Sequence, residues 1–137
     1  MEIRIFKELP ICSADIRNEV FVQEQGFQEE FDSYDETATH IVGFIEDKAV
    51  ATSRVLTLTD GKFLIGRIAV RQQYRKMGLG SKIISASEKF IIENGGREIF
   101  IHAQMQAVPF YEKQGYSPIG EQDEDEGCPH QMMNKIL

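Results

Sequence analysis

The chain has 137 residues, a length that suits one domain with its own hydrophobic core and needs neither metal nor disulfide to fold. Its 15 Lys and Arg against 22 Asp and Glu give a formal charge of −7. That balance excludes a general nucleic-acid or anionic-membrane binder, which carries a basic surplus. The acidity is uneven. Residues 1–36 carry −7, residues 37–98 carry +4 and residues 99–137 carry −4, and Arg67, Arg71, Arg75, Lys76, Lys82 and Lys89 crowd into one stretch against Glu88. An acidic protein with a basic middle is prepared for an anion there. Two cysteines, Cys12 and Cys128, make no disulfide framework. The start Met-Glu-Ile-Arg-Ile lacks the basic and apolar stretches of a secretory signal, and no apolar run approaches the ~20 residues that span a bilayer. The expectation is a cytoplasmic protein.

In chain order, Glu2–Phe6 alternates polar and apolar residues and predicts a short strand. Ser13 is placed to cap a helix running to about Gln25, with Ile16, Val20 and Phe21 inward and Gly26 as its stop. The acidic, aperiodic stretch from Gln28 to Thr37 predicts a loop. Three strands follow: His40–Glu46, then Ala49–Thr59 after an Asp47-Lys48 turn, then Lys62–Val70 after the hairpin signal Asp60-Gly61. Gly66 marks a bulge or a close backbone approach. Leu79, Ile83, Ala86 and Phe90 recur at helical spacing over Leu79–Asn94, ended by Gly95-Gly96. Glu98–Ala103 predicts a buried strand, Pro109 starts a short helix ending at Gly115, and Tyr116–Gly120 and Met132–Leu137 predict closing strands around the acidic Glu121–Glu126 turn. The order β-α-β-β-β-α-β-α-β-β predicts a single α/β domain over residues 1–137, an α+β mixed sheet, mostly antiparallel and flanked by helices.

The informative segment runs from Ile68 to Ser81: a strand, a basic loop, then Gly78-Leu79-Gly80 opening a helix. A helix N-terminus offers unpaired N–H groups and partial positive charge, and glycines let a phosphate approach them. The Gly-Lys-Ser/Thr of a P-loop is absent, and Ile83 stands where a dinucleotide fingerprint has its third glycine. On these residues alone an anion cradle and a tight turn with solvated basic side chains both stand.

Arg75-Lys76-Met77-Gly78-Leu79-Gly80 resembles the Arg/Gln-x-x-Gly-x-Gly/Ala signature of the GNAT superfamily of acyl-CoA-dependent N-acetyltransferases. About 30 residues on, Ala107 to Tyr116 (Ala-Val-Pro-Phe-Tyr-Glu-Lys-Gln-Gly-Tyr) resembles its Ala-x-x-Phe-Tyr-x-Lys-x-Gly-Phe/Tyr landmark. Arg17–Gln25, His40 and the run Asp125–Met133 narrow the resemblance to the ElaA/YjcF-like branch. The resemblance implies the GNAT fold and acetyl-CoA as co-substrate. It implies that the pantetheine arm pairs with the backbone of Ile68, Ala69 and Val70. The pyrophosphate would sit on the loop and helix start formed by Arg75, Lys76, Met77, Gly78, Leu79, Gly80 and Ser81. Tyr111 matches the acid that protonates the departing thiolate.

Many GNAT enzymes place a carboxylate base on a central strand, where this chain reads Gly66-Arg67-Ile68. The candidates for the base are Glu19, Glu24, Asp32, Asp35, His40 and His130, beside a water chain with no dedicated base. Gln104 and Gln106 either bond ligand or end a strand, and His130 either shapes the acceptor pocket or satisfies a buried backbone group. His40, His102, Cys128 and His130 fit no zinc spacing, and no metal is expected. The acidic stretches read either as solvated turns or as an attraction for a cationic amine. The expected partner is a small-molecule or peptide amine, with neither nucleic acid nor membrane, and exposed late strands leave room for a homodimer. A non-catalytic acyl-CoA-binding module is the alternative function, and a pure interaction protein a third.

Overall fold

The computed structural model describes residues 1–137. Eight strands form one sheet: β1 (Glu2–Phe6), β2 (Thr39–Ile45), β3 (Lys48–Thr57), β4 (Lys62–Val70), β5 (Glu98–Gln104), β6 (Ser117–Pro118), β7 (Asp123–Asp125) and β8 (Cys128–Ile136). Their order is β1-β2-β3-β4-β5-β8-β6, with β7 also on β8. Only β4 and β5 run parallel. Three α-helices cover the sheet: α1 (Ile11–Arg17), α2 (Leu79–Glu93) and α3 (Val108–Lys113). No helix is long and apolar enough to cross a membrane.

Both sheet faces are buried. Ile83, Ile84 and Ile91 of α2 pack on Ile41, Val55, Phe63, Ile65, Ile99, Ile101 and Met133 of the sheet. Under α1 lie Ile16, Val20, Phe21, Val42, Phe44 and Ala69. Burying a side chain of this size stabilises by about 1.5–3 kcal/mol, so these two layers hold the fold. A buried hydroxyl pair ties each long-range packing to β3. Thr52 donates to the carbonyl of Ile41, so the 2.6 Å contact from Ser13 is donated by Ser13. Ser87 likewise donates to Ile83, so Ser53 donates to Ser87 at 2.7 Å.

Several local expectations change. Pro10, not Ser13, caps the first helix, and Ser13 is fully buried inside it. The helix then widens into a π-helical stretch over Asn18–Glu24 before Gly26 stops it at φ +82°. The β2–β3 turn is Glu46-Asp47, both at positive φ, one residue earlier than the sequence suggests. β8 begins at Cys128, and the acidic run before it contains β7; Glu126-Gly127, again both at positive φ, is the two-residue hairpin between them.

Two features of β4 position the site. Thr52 pairs with Ala69 but Arg54 pairs with Gly66, so β4 carries one extra residue there. The strained residue of this bulge is Arg67, at φ +50°, beside the glycine the sequence pointed to. And β4 pairs with β5 only from Lys62–Glu98 to Ile65–Ile101. Beyond that point the two strands part, leaving Gly66–Val70 with an open edge.

Candidate active site

The amide of Arg71 bonds the carbonyl of Val50, so the alternation of an antiparallel pair turns the backbone groups of Ile68 and Val70 to the open side. Ala69 faces β3, and its side chain is buried. Next in the chain, Arg71 and Arg75 reach back to α1's extension: Arg71 bonds Glu19 at 2.9 Å, and Arg75 holds both carboxylate oxygens of Glu24 at 2.7 and 2.8 Å while its Nε donates to the carbonyl of Val70. Arg75 keeps Glu24 below the usual carboxylate range. Gly78 caps α2 at φ +75°, a left-handed conformation that favours glycine. A Cβ on Gly80 would stand 3.2 Å from the Phe110 ring, so that glycine also lets α3 pack against α2. The N–H groups of Met77, Gly78, Leu79, Gly80 and Ser81 find no acceptor in the surrounding turns. The Ser81 hydroxyl accepts from Gln114 at 2.9 Å, which leaves its own O–H as well as its backbone N–H for a ligand.

These parts line a cavity of about 570 Å³ that includes Ile68–Val70, Arg75, Lys76, Gly78–Ser81, Phe110 and Tyr111. A second cavity, of about 220 Å³, adjoins it, against Gly66, Arg67, His102, His130, Glu29, Glu30, Asp125 and Glu126. Both contain Gln25, Ile68, Gln106, Ala107 and Tyr111. Tyr111 is buried on α3, and burial pushes its hydroxyl up to about 12. It therefore stays protonated across physiological pH. Gln106 donates to Gln104 and Gln104 to Gln25 at 2.8 Å, a chain of amides from β5 to the end of the first helix beside Tyr111.

Three carboxylates of the acidic loop are held by arginine, while Glu29 and Glu36 stay exposed. Arg17, fully buried, binds Glu30 at 2.9 Å and Asp35 at 2.7 Å; Arg54 binds Asp32 at 2.7 Å; and Arg67 binds Glu30 at 2.9 Å. Three arginines thus meet three carboxylates. Asp35, bonded by Arg17 and Arg54, is held down at about 2, whereas burial outweighs the arginines at Glu30 and raises it. His40 is buried against the carbonyl of Asp35, and burial lowers its basicity. Of the base candidates, Glu19, Glu24, Asp32 and Asp35 are each paired to arginine and His40 is sealed away, so His130 alone among them lines the smaller cavity.

Beside it stands a residue the sequence reading weighed only for metal. His102 stacks on His130 with ring centroids 4.6 Å apart and bonds Asp123 at 2.7 Å. Its signal was the alternation of β5, where Ile99, Ile101 and Ala103 face the core and His102 faces away with Gln104. Glu126 accepts from the amides of Gln28 and Glu29, fastening the β7–β8 hairpin over this cavity.

A mixed sheet that parts between two parallel strands, with a helix start facing the gap, is the acyl-CoA N-acyltransferase fold. The chain belongs to the GNAT family of acetyltransferases, whose domain model matches residues 12–137. Within it the chain falls in the ElaA/YjcF-like branch. It is 38% identical over 123 residues to the uncharacterized N-acetyltransferase YjcF of Bacillus subtilis, covering 88% of this chain and 87% of that protein. The crystal structure of Escherichia coli ElaA superimposes with a TM-score of 0.87 at 27% identity, covering 98% of each chain. An aminoglycoside 6'-N-acetyltransferase complexed with coenzyme A shares the fold alone, with a TM-score of 0.75 at 15% identity over 99% of this chain and 97% of that one.

Proposed function

We infer that this N-acetyltransferase moves an acetyl group from acetyl-CoA to a primary amine by direct attack, with no acyl-enzyme intermediate. The observation that carries the reading is that two adjoining cavities share Tyr111 in their lining. The larger has the parts a CoA thioester needs: an open strand edge at Ile68 and Val70 for the pantetheine amides, and unpaired N–H groups from Met77 to Ser81 for the pyrophosphate. Coenzyme A bound to the aminoglycoside enzyme of the same fold supports this use. Lys76 adds charge, while Arg75 shapes the loop through Glu24. The smaller cavity takes the amine, and the carboxylates of Glu29 and Asp125, which no arginine holds, favour a cation there. Tyr111, at the junction, is placed to donate to the departing thiolate.

The test follows thiol release from acetyl-CoA with a polyamine, an amino sugar, an amino acid and a lysine peptide. Acetyl-CoA-dependent release with at least one acceptor is expected, together with thermal stabilisation by CoA that Gly78→Glu abolishes. Stabilisation without turnover across the panel would instead make the chain a CoA-binding module.

A further inference from the structure

We propose that His130 is the general base that takes the proton from the acceptor ammonium, and that His102 and Asp123 are positioning residues that hold its ring. The assignment rests on the acetyl-transfer reading above. Hydrogen-bond partners fix both tautomers. His130 Nδ1 lies 2.8 Å from the carbonyl of Cys128, which can only accept, so Nδ1 carries the proton and Nε2 is left with its lone pair. Nothing in the chain bonds that Nε2, and the ring lines the cavity that contains Tyr111. His102 Nε2 meets the Asp123 carboxylate, another acceptor, so His102 donates there and turns its other nitrogen elsewhere. Asp123 is kept ionised by this bond, which pulls it below the usual carboxylate range.

The strand pairing accounts for the placement. His130 on β8 stands opposite Gln104 on β5 and opposite Asp123 on β7, so His102, two residues before Gln104, is its diagonal neighbour on the same face. The stacked ring restricts His130, and the carboxylate faces both imidazoles. The other charged groups around this cavity are Glu29, Glu30, Asp125 and Glu126, with Arg67 matched to Glu30. Their balance is acidic, which favours a cationic amine before the transfer.

The step balances. Nε2 takes one proton from the ammonium, leaving the amine lone pair. That pair forms the C–N bond as the carbonyl π electrons move to oxygen. Collapse expels the CoA thiolate. The second nitrogen proton and the one held by His130 pass to solvent, the thiolate takes one from solvent to become the thiol, and so one proton is released per acetyl group and His130 is restored.

Two measurements test the assignment. Ring ¹⁵N spectra of the protein with CoA bound should show the neutral His130 ring protonated on Nδ1 and bare on Nε2; the reverse tautomer overturns it. In the acceptor panel, H130Q should lose about 100-fold in kcat/KM together with the acidic limb of its pH profile, while CoA still stabilises the variant. D123N, a change at an exposed side chain, should free the His102 tautomer in the ring ¹⁵N spectra and lower kcat while KM for acetyl-CoA and the fold stay unchanged. An H130Q enzyme with unchanged rate and profile removes His130 from the reaction while leaving acetyl transfer in place, and an unchanged kcat in D123N removes Asp123. A wild-type protein that binds CoA but acetylates nothing in the panel overturns both the transfer reading and the base.

Discussion

Tyr111 illustrates how a single environment sets a chemical role. Burial pushes its hydroxyl up to about 12, well above a free thiol at about 8.5, so handing a whole proton to the CoA thiolate is uphill. What it can give is a hydrogen bond to the growing negative charge. A bond to a charged group contributes about 1.5–3 kcal/mol, equivalent to roughly 10–100-fold in rate. Tyr111→Phe is therefore expected to lower kcat by that factor and leave KM for acetyl-CoA unchanged. The same burial places its own titration beyond ordinary assay conditions, so the wild-type profile should show no alkaline limb assignable to Tyr111. Steady-state kinetics from pH 6 to 10 on both proteins check this, and a limb that disappears in the variant would contradict it.

At the scale of elements, the loop between Phe27 and Thr37 departs furthest from its sequence. Read along the chain it is a run of acids without periodicity, and nothing in that run reveals the three arginines that meet it from α1, β3 and β4. Periodicity reports which face of an element is apolar; it carries no information about which distant charge arrives. The glycine pair at α2 was legible because its cause is local, a helix start that needs an open backbone. Asp35 turns the hidden network into a measurable quantity. Its folded carboxylate titrates at about 2 against an ordinary 3.8, so its contribution is complete above 3.8 and fades as pH falls toward 2. Glu30, shifted upward, has the opposite sign and adds nothing to acid unfolding. Asp35→Asn should cost about 3–5 kcal/mol at neutral pH by leaving Arg17 short of a partner, and should flatten the fall in stability below pH 4. Urea midpoints at pH 7 and pH 3 decide it, and a variant that keeps the wild-type acid slope would point to another group.

For the whole molecule, the decisive event is the parting of β4 from β5 after four paired residues. The sequence showed the strands, the bulge to within one residue and the two landmark segments, but the register at which two parallel strands stop pairing is set by what packs between them. Here Arg67 turns aside to Glu30, and Tyr111 reaches between the two cavities. One edge is thereby left open to a ligand with amides of its own. The β4 alternation makes this specific. Both backbone groups of Ile68 and the amide of Val70 are free to be matched, whereas the Val70 carbonyl already accepts from Arg75 and Ala69 is committed to β3. Hydrogen exchange with and without CoA should then show added protection at the amides of Ile68, Val70 and the stretch from Met77 to Ser81, with β1 and β2 unchanged. Protection concentrated instead at Gln28, Glu29 and the β7–β8 hairpin would mean that the cofactor occupies the smaller cavity, and the sides given to CoA and amine would have to be exchanged.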